Sequence, residues 1–189
     1  LENPILFICD LQTAFQPAMP SFPSILVTAT KLLRASKILS IPVYVTTQNA
    51  ARLGPTHPDL PISHVVGVFD KTKFSMMVPE ISAALKTHGE QCSVAITGIE
   101  SHICVTQTAL DLLKEGHKVY IIADGVGSCN SQEIGVALDR LRNEGCTVTS
   151  SESWMYEVMG DAKIPEFKQM VGLVKEYKDA TAKVLQSLL

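Results

Sequence analysis

Three ionisable side chains stand where apolar runs stop: Asp10 after ILFIC, Lys71 after VVGVFD, and Cys104 in the turn that follows VAITGI. A thiol in a turn that opens a helix meets backbone N–H groups and the positive end of the helix dipole, both of which favour its thiolate. A thiolate attacks electrophilic carbon, and the amides of the 100–104 turn can hold the oxyanion that develops. Asp10 can take the thiol proton if its strand lies beside that of Cys104; read locally, it instead caps the LQTAF turn. The Lys71 ammonium would stabilise both negative groups. Lys73, two residues on, faces the same side of an extended chain, and either lysine is otherwise a solvated edge residue. Cys104 has its own bland alternative as a small core residue at a helix start. His102 competes as a base, with an exposed or oligomer-facing ring as the alternative. Asp124 also ends an apolar run, but before Gly125 it reads as a turn residue shaping the edge of the site.

Positioning these groups requires strands that end together. Apolar runs predict strands over 5–9, 41–46, 65–69, 94–99, 118–123 and, after Gly145, an edge strand over 147–149. Helical spacing marks 25–39, with Ser24 a candidate cap, then a helix opened by Pro79 that carries Ile81 and Leu85. Further helices follow Cys104 through Val105, Ala109 and Leu112, and carry Ile134, Leu138 and Leu141; Phe167, Met170, Val171 and Val174 form a last one packed back on the domain. Alternating strands and helices predict an α/β three-layer sandwich around an open, mostly parallel six-stranded sheet with right-handed crossovers. Its carboxyl edge is the ligand side. The polar stretch 48–63 reads as a long loop over that edge.

At 189 residues the chain is expected to form a single domain spanning 1–189. A net charge of −3 and the absence of a basic stripe make nucleic acid an unexpected partner. No run is long enough to span a membrane and no secretory signal opens the chain, so a cytoplasmic location is expected. The chain starts at Leu1, and residues before it, absent here, would be the place for organellar targeting. Five scattered cysteines, Cys9, Cys92, Cys104, Cys129 and Cys146, fit a reducing compartment better than a disulfide framework. No glycine-rich phosphate loop, Cys-x-x-Cys pair or His-x-His cluster is present, so neither a cofactor nor a metal is expected.

The stretches ICDLQTAF, FDKTKFSMM and TGIESHICVTQTALDLLKEGHKVYIIADGV resemble the isochorismatase-like, or cysteine hydrolase, family over nearly the whole chain. QNAARLGPTHPDL and ESWMYEVMGDAKIPEFKQMVGLVKEY are most similar to the isochorismatase-domain-containing subgroup. The resemblance implies the family's Asp–Lys–Cys triad at Asp10, Lys71 and Cys104, with Lys71 preferred over Lys73 by the spacing of KTKFS. It also implies a cis peptide between Ile99 and Glu100, and an oxyanion hole from the Glu100 and Cys104 N–H groups. Phe15, Gln48, Ser101 and His102 are the candidate pocket residues. Nicotinamidases of this family carry an Asp-x-His metal pattern where this chain has TTQNAARLG, with Gln48 in that neighbourhood.

The expected function is hydrolysis of a small amide or related C–N bond through a thioester on Cys104, by a homo-oligomer whose partner is a small-molecule substrate. A catalytically silent interaction protein on the same fold is the alternative from another class, supported by the missing metal pattern and an apolar, Met-containing tail. Phosphoester or RNA hydrolysis is the third reading.

Overall fold

Strict alternation along the strands decides which side of the sheet each residue serves. In β1 (Pro4–Cys9), Leu6 and Ile8 join one buried cluster while Ile5, Phe7 and Cys9 join another, so both faces are covered. The computed structural model describes residues 1–186. After β1 come α1 (Phe22–Ile38), β2 (Val43–Gln48), α2 (Ala50–Leu53), β3 (Gly67–Lys71), α3 (Pro79–Leu85), β4 (Ser93–Ile99) and α4 (Thr106–Lys114). The chain continues through β5 (Lys118–Gly127), α5 (Gln132–Asn143), β6 (Thr147–Thr149), α6 (Ser151–Met159) and α7 (Phe167–Gln186). The six strands pair in the order β3-β2-β1-β4-β5-β6, every named pair parallel. One face packs against α1, α6 and α7 through Phe22, Leu32, Trp154, Met155 and Met170; the other meets α3, α4 and α5 through Ile81, Leu85, Ala109, Leu112 and Leu141.

The strand order explains where the site forms. From β1 the chain moves outward through β2 to β3, then returns across the sheet to β4 on the other side of β1. The connections leaving β1 and β4 therefore diverge, and a crevice opens at their carboxyl ends. Asp10 leaves β1 there and the 100–104 turn leaves β4. At that point the two strands approach closely. Gly98 sits at φ +124°, and a Cβ on it would come within 2.1 Å of the Cys9 carbonyl oxygen. The β4–β5 register also shifts between Ile96 and Gly98, with Thr97 Oγ1 donating to the Gly125 carbonyl at 2.5 Å.

Several boundaries differ from those read in the sequence. The third strand occupies Gly67–Lys71 rather than 65–69, which puts Lys71 in the ladder opposite Gln48. The first helix begins at Phe22, with Pro23 in its first turn and Ser24 inside it, so Ser24 is no cap. β5 runs on past 123 to Gly127 because the register shift lets it keep pairing with β4. Asp124 is thus not a turn residue. It is buried in β5 and accepts from the Ser151 N–H at 2.6 Å and from the Ser151 hydroxyl, holding the first turn of α6. The 48–63 loop contains a short helix, α2, fixed by Asp70: its Oδ1 accepts from the Ala50 N–H at 2.7 Å and from Thr47 Oγ1 at 2.9 Å. These bonds hold the Asp70 carboxyl below its ordinary value, the Ala50 amide first.

Candidate active site

Asp10 is buried directly after β1, and its left-handed backbone, φ 51°, is one that aspartate tolerates better than most side chains. Its Oδ1 accepts from Thr46 Oγ1 at 2.8 Å, and Oδ2 from the Lys71 ammonium at 2.7 Å. The Cys9 thiol also points at Oδ2, at 3.7 Å. Neither member of the Asp10–Lys71 pair has meaningful exposure, the side chains being 1% and 0% accessible. A buried charge pair of this kind stands only with further bonds. Lys71 has them: its Nζ also lies 2.7 Å from Gln48 Oε1, 2.9 Å from the Phe74 carbonyl and 3.2 Å from the Lys73 carbonyl. Lys73 turns outward to pair with Asp111 at 2.7 Å, which separates the two lysines.

Gln48 is held in turn. Its backbone N–H donates to Gln12 Oε1 at 2.7 Å, while Gln12 Nε2 donates to the carbonyls of Gln48, at 3.2 Å, and Gly54, at 2.7 Å. The fully buried Gln12 thereby staples the loop carrying α2 onto the turn after β1, beside the His57 N–H to Leu11 carbonyl bond at 2.7 Å. Gln12 lies within the ICDLQTAF motif, yet nothing in its spacing marks it as a brace. The amide of Gln48 lies against the Lys71 ammonium. Among the described residues, no three His, Cys, Asp or Glu side chains gather where they could hold a metal ion.

Cys104 lies on the opposite wall, in a π-type turn over Ser101–Val105 that leads into α4. The peptide between Ile99 and Glu100 is cis. The Glu100 carbonyl accepts from the Ile103 and Val105 N–H groups, both at 3.1 Å, and Thr108 Oγ1 donates to the Cys104 carbonyl at 2.6 Å. The Glu100 carboxylate leaves the turn and accepts from the Cys129 N–H at 2.8 Å. Burial pushes the neighbouring Cys9 thiol well above its ordinary value, and its contact with Cys104 and the charge of Asp10 push the same way. Cys9 is therefore a proton-bearing neighbour of both groups.

Asp10 and Cys104 open onto one cavity of about 160 Å³, with Gln48 and Glu100 also in its wall. Phe15, Leu53, Phe74, Ile99 and Ile103 make the apolar remainder of its wall. Of the pocket residues read from sequence, Phe15 and Gln48 lie in this wall; Ser101 and His102 do not. Ser101 is fully buried, its carbonyl taken by Thr106 Oγ1 at 2.6 Å and its hydroxyl without a partner among the described residues. The His102 ring turns away to Ser128 Oγ, with Nδ1 at 2.9 Å. The turn after β4 sends these two side chains elsewhere, which also removes His102 as the competing base. Leu53, in the four-residue α2, and Phe74 and Ile103, in turns, escaped the sequence reading because none lies in a segment long enough to show a periodic pattern.

The isochorismatase domain family matches residues 4–153, which include every residue of the cavity wall. The secreted isochorismatase effector Isc1 of Phytophthora sojae (strain P6497) is 42% identical over 181 residues, covering 93% of this chain and 86% of that protein. Isochorismatase domain-containing protein 1 of Salmo salar is 40% identical over 171 residues, covering 90% of this chain and 60% of that longer protein. Among solved structures, the MAR1 ribonuclease of Caenorhabditis elegans superposes with a TM-score of 0.85 at 37% identity, over 91% of this chain and 89% of that one.

Proposed function

The chain belongs to the isochorismatase family, and from that membership we propose that it is a cysteine hydrolase that cleaves a small amide or related C–N bond with Cys104 as nucleophile. Asp10 takes the Cys104 proton as sulfur attacks the carbonyl carbon, and the Glu100 and Cys104 N–H groups hold the resulting oxyanion. Collapse of that intermediate breaks the C–N bond; the proton held by Asp10 leaves with the amine, and a thioester remains. Asp10 then removes a proton from water as the water attacks the thioester, and the second collapse releases the acid and returns the proton to sulfur. Lys71 touches neither substrate nor sulfur in this scheme. It keeps a counter-charge against Asp10 through both cycles of protonation.

The observation that carries the proposal is the shared cavity: the carboxylate braced by Lys71 and Thr46 opens onto the same space as the Cys104 thiol. A panel of small amides assayed with the wild type and Cys104→Ala tests it. Turnover is expected to fall at least about 10³-fold in the variant, with a thioester adduct detected by mass only in the wild type. Equal turnover by the two proteins removes Cys104 as nucleophile.

The names of two relatives, an isochorismatase and a ribonuclease, suggest substrates that carry negative charge. Neither is favoured for this chain. With a net charge of −3 it has no broad attraction for a polyanion, and no cationic side chain lines the cavity wall. Metal-free cleavage of a defined RNA, lost on changing a residue of this cavity, would reverse that preference.

A further inference from the structure

The cavity offers an anion no partner side chain. No cationic side chain lines its wall, the Asp10 carboxylate is already bound by Thr46 and Lys71, and the Glu100 carboxylate turns away to the Cys129 N–H at 2.8 Å. The nearest ammonium, on Lys71, is shut off from the cavity with no accessible surface, its protons directed at four oxygens between 2.7 and 3.2 Å. Lys73 is bound to Asp111 and to the Met77 carbonyl, and Arg52 projects from the exposed side of α2, outside the wall. The His102 ring faces Ser128. An anionic group entering beside Cys104 would leave water, meet Phe15, Leu53, Phe74, Ile99 and Ile103, and find no cationic side chain. Burying a charge without a partner is strongly unfavourable.

We infer that this site selects an uncharged substrate with a compact apolar acyl group and refuses carboxylates and phosphodiesters at the same position. The word substrate rests on the hydrolase reading above; the selection by charge does not. Apolar walls grip the acyl side, and specificity against anions comes from the cost of desolvating a charge that no cationic side chain repays. The size agrees, since a cavity of about 160 Å³ has room for a single ring-sized group but not for a run of nucleotides.

Two reagents that differ only in charge test this on the intact chain. Iodoacetamide and iodoacetate both alkylate a thiol: sulfur displaces iodide from the methylene carbon and the thiol proton passes to solvent. The rate at Cys104 is read by peptide mass mapping, which separates it from the exposed Cys129. Glutathione in the same buffer supplies the ratio for an open thiol. The iodoacetamide-to-iodoacetate rate ratio at Cys104 is expected to exceed the glutathione ratio at least tenfold. Benzamide in millimolar excess should slow labelling by iodoacetamide, and benzoate at the same concentration should not. A Cys104 ratio equal to that of glutathione, or equal protection by benzoate, overturns the inference. Charge-selective labelling without hydrolysis of any amide leaves it standing and removes the hydrolase reading; equal hydrolysis of neutral and carboxylated amides does the reverse.

Discussion

Lys71 and Asp10 act as one unit, because each is buried and each supplies the other's counter-charge. Removing one partner strands a charge in the core, so Lys71→Met is expected to cost about 3–5 kcal/mol of stability in denaturant titration, while Lys71→Met combined with Asp10→Asn regains part of that loss. Both proteins should be inactive. Gln48 supplies a neutral acceptor to the same ammonium, and Gln48→Leu leaves one Lys71 proton with poorer partners. A hydrogen bond to a charged group is worth about 1.5–3 kcal/mol, so a fall in kcat of tenfold or more is expected, measured on whichever amide the wild type turns over. Asp10 was legible in the sequence because it ends an apolar run, and Cys104 because it stands at the mouth of a helix in the turn that follows one. Lys71 was separable from Lys73 only by family resemblance: the two share a parity, and the chain's bend after β3, which sends Lys73 out to Asp111, leaves no trace in composition. Gln12 was invisible for a related reason. An amide that braces a backbone 36 residues away has no periodic signature.

Elements read well where burial is two-sided and poorly where one residue sets a boundary. Five strands were legible as apolar runs and β6 as a short edge after Gly145, but the end of β5 depends on the shift opposite Gly98, and α6 depends on Asp124 reaching Ser151. Gly98→Ala tests the first of these. Its Cβ would meet the Cys9 backbone at φ +124°, combining left-handed strain with a clash that no rotamer relieves, so a loss of roughly 3 kcal/mol or more is expected together with loss of activity. Acid sensitivity should come partly from the junction between β4 and the α4–β5 turn. There His117 Nδ1 accepts the Cys92 N–H at 3.2 Å, and burial lowers the imidazole below its ordinary value, against a smaller opposing effect of Glu115. A base whose folded value is depressed binds fewer protons folded than unfolded between the two values, so stability is fully present above the unfolded value of about 6.5 and declines as pH falls through the folded one. Chemical denaturation from pH 7.5 down to pH 5 should show that decline in the wild type and a flatter profile in His117→Gln. On the opposite face, the buried Lys31 donates to Thr181 Oγ1 at 2.9 Å and so ties α1 to α7. That helix pair is fastened a second time at the surface, where Arg34 grips Glu176 at 2.5 and 2.8 Å and lies over the Tyr177 ring.

At the scale of the whole molecule the two ends of the sheet are unequal. β6 is an edge of only Thr147–Thr149, too short to recruit another strand, whereas β3 presents five residues with one side of its backbone open. Large apolar side chains gather at that open end: Val66 is 56% exposed and Val68 45%. Phe74, 49% exposed, continues the same stretch of chain onto the rim of the cavity. Natural edges are usually blunted by charge, proline or a covering element, and Asp70 is the only charged residue of β3 that faces outward. A second copy of this chain, related by a two-fold axis so that the same patch is used twice, would cover Val66 and Val68 and bring its own surface to the mouth at Phe74. Sedimentation velocity across a concentration series is expected to show a dimer or larger closed assembly in the wild type. Val68→Lys, which places charge on the open edge without touching the buried side of β3, should shift the distribution toward monomer at equal thermal stability. If the neighbour also completes the pocket, the shift will carry a higher KM and a specific activity that falls on dilution. A stable wild-type monomer at micromolar concentration would remove the assembly and leave the exposed valines to another partner.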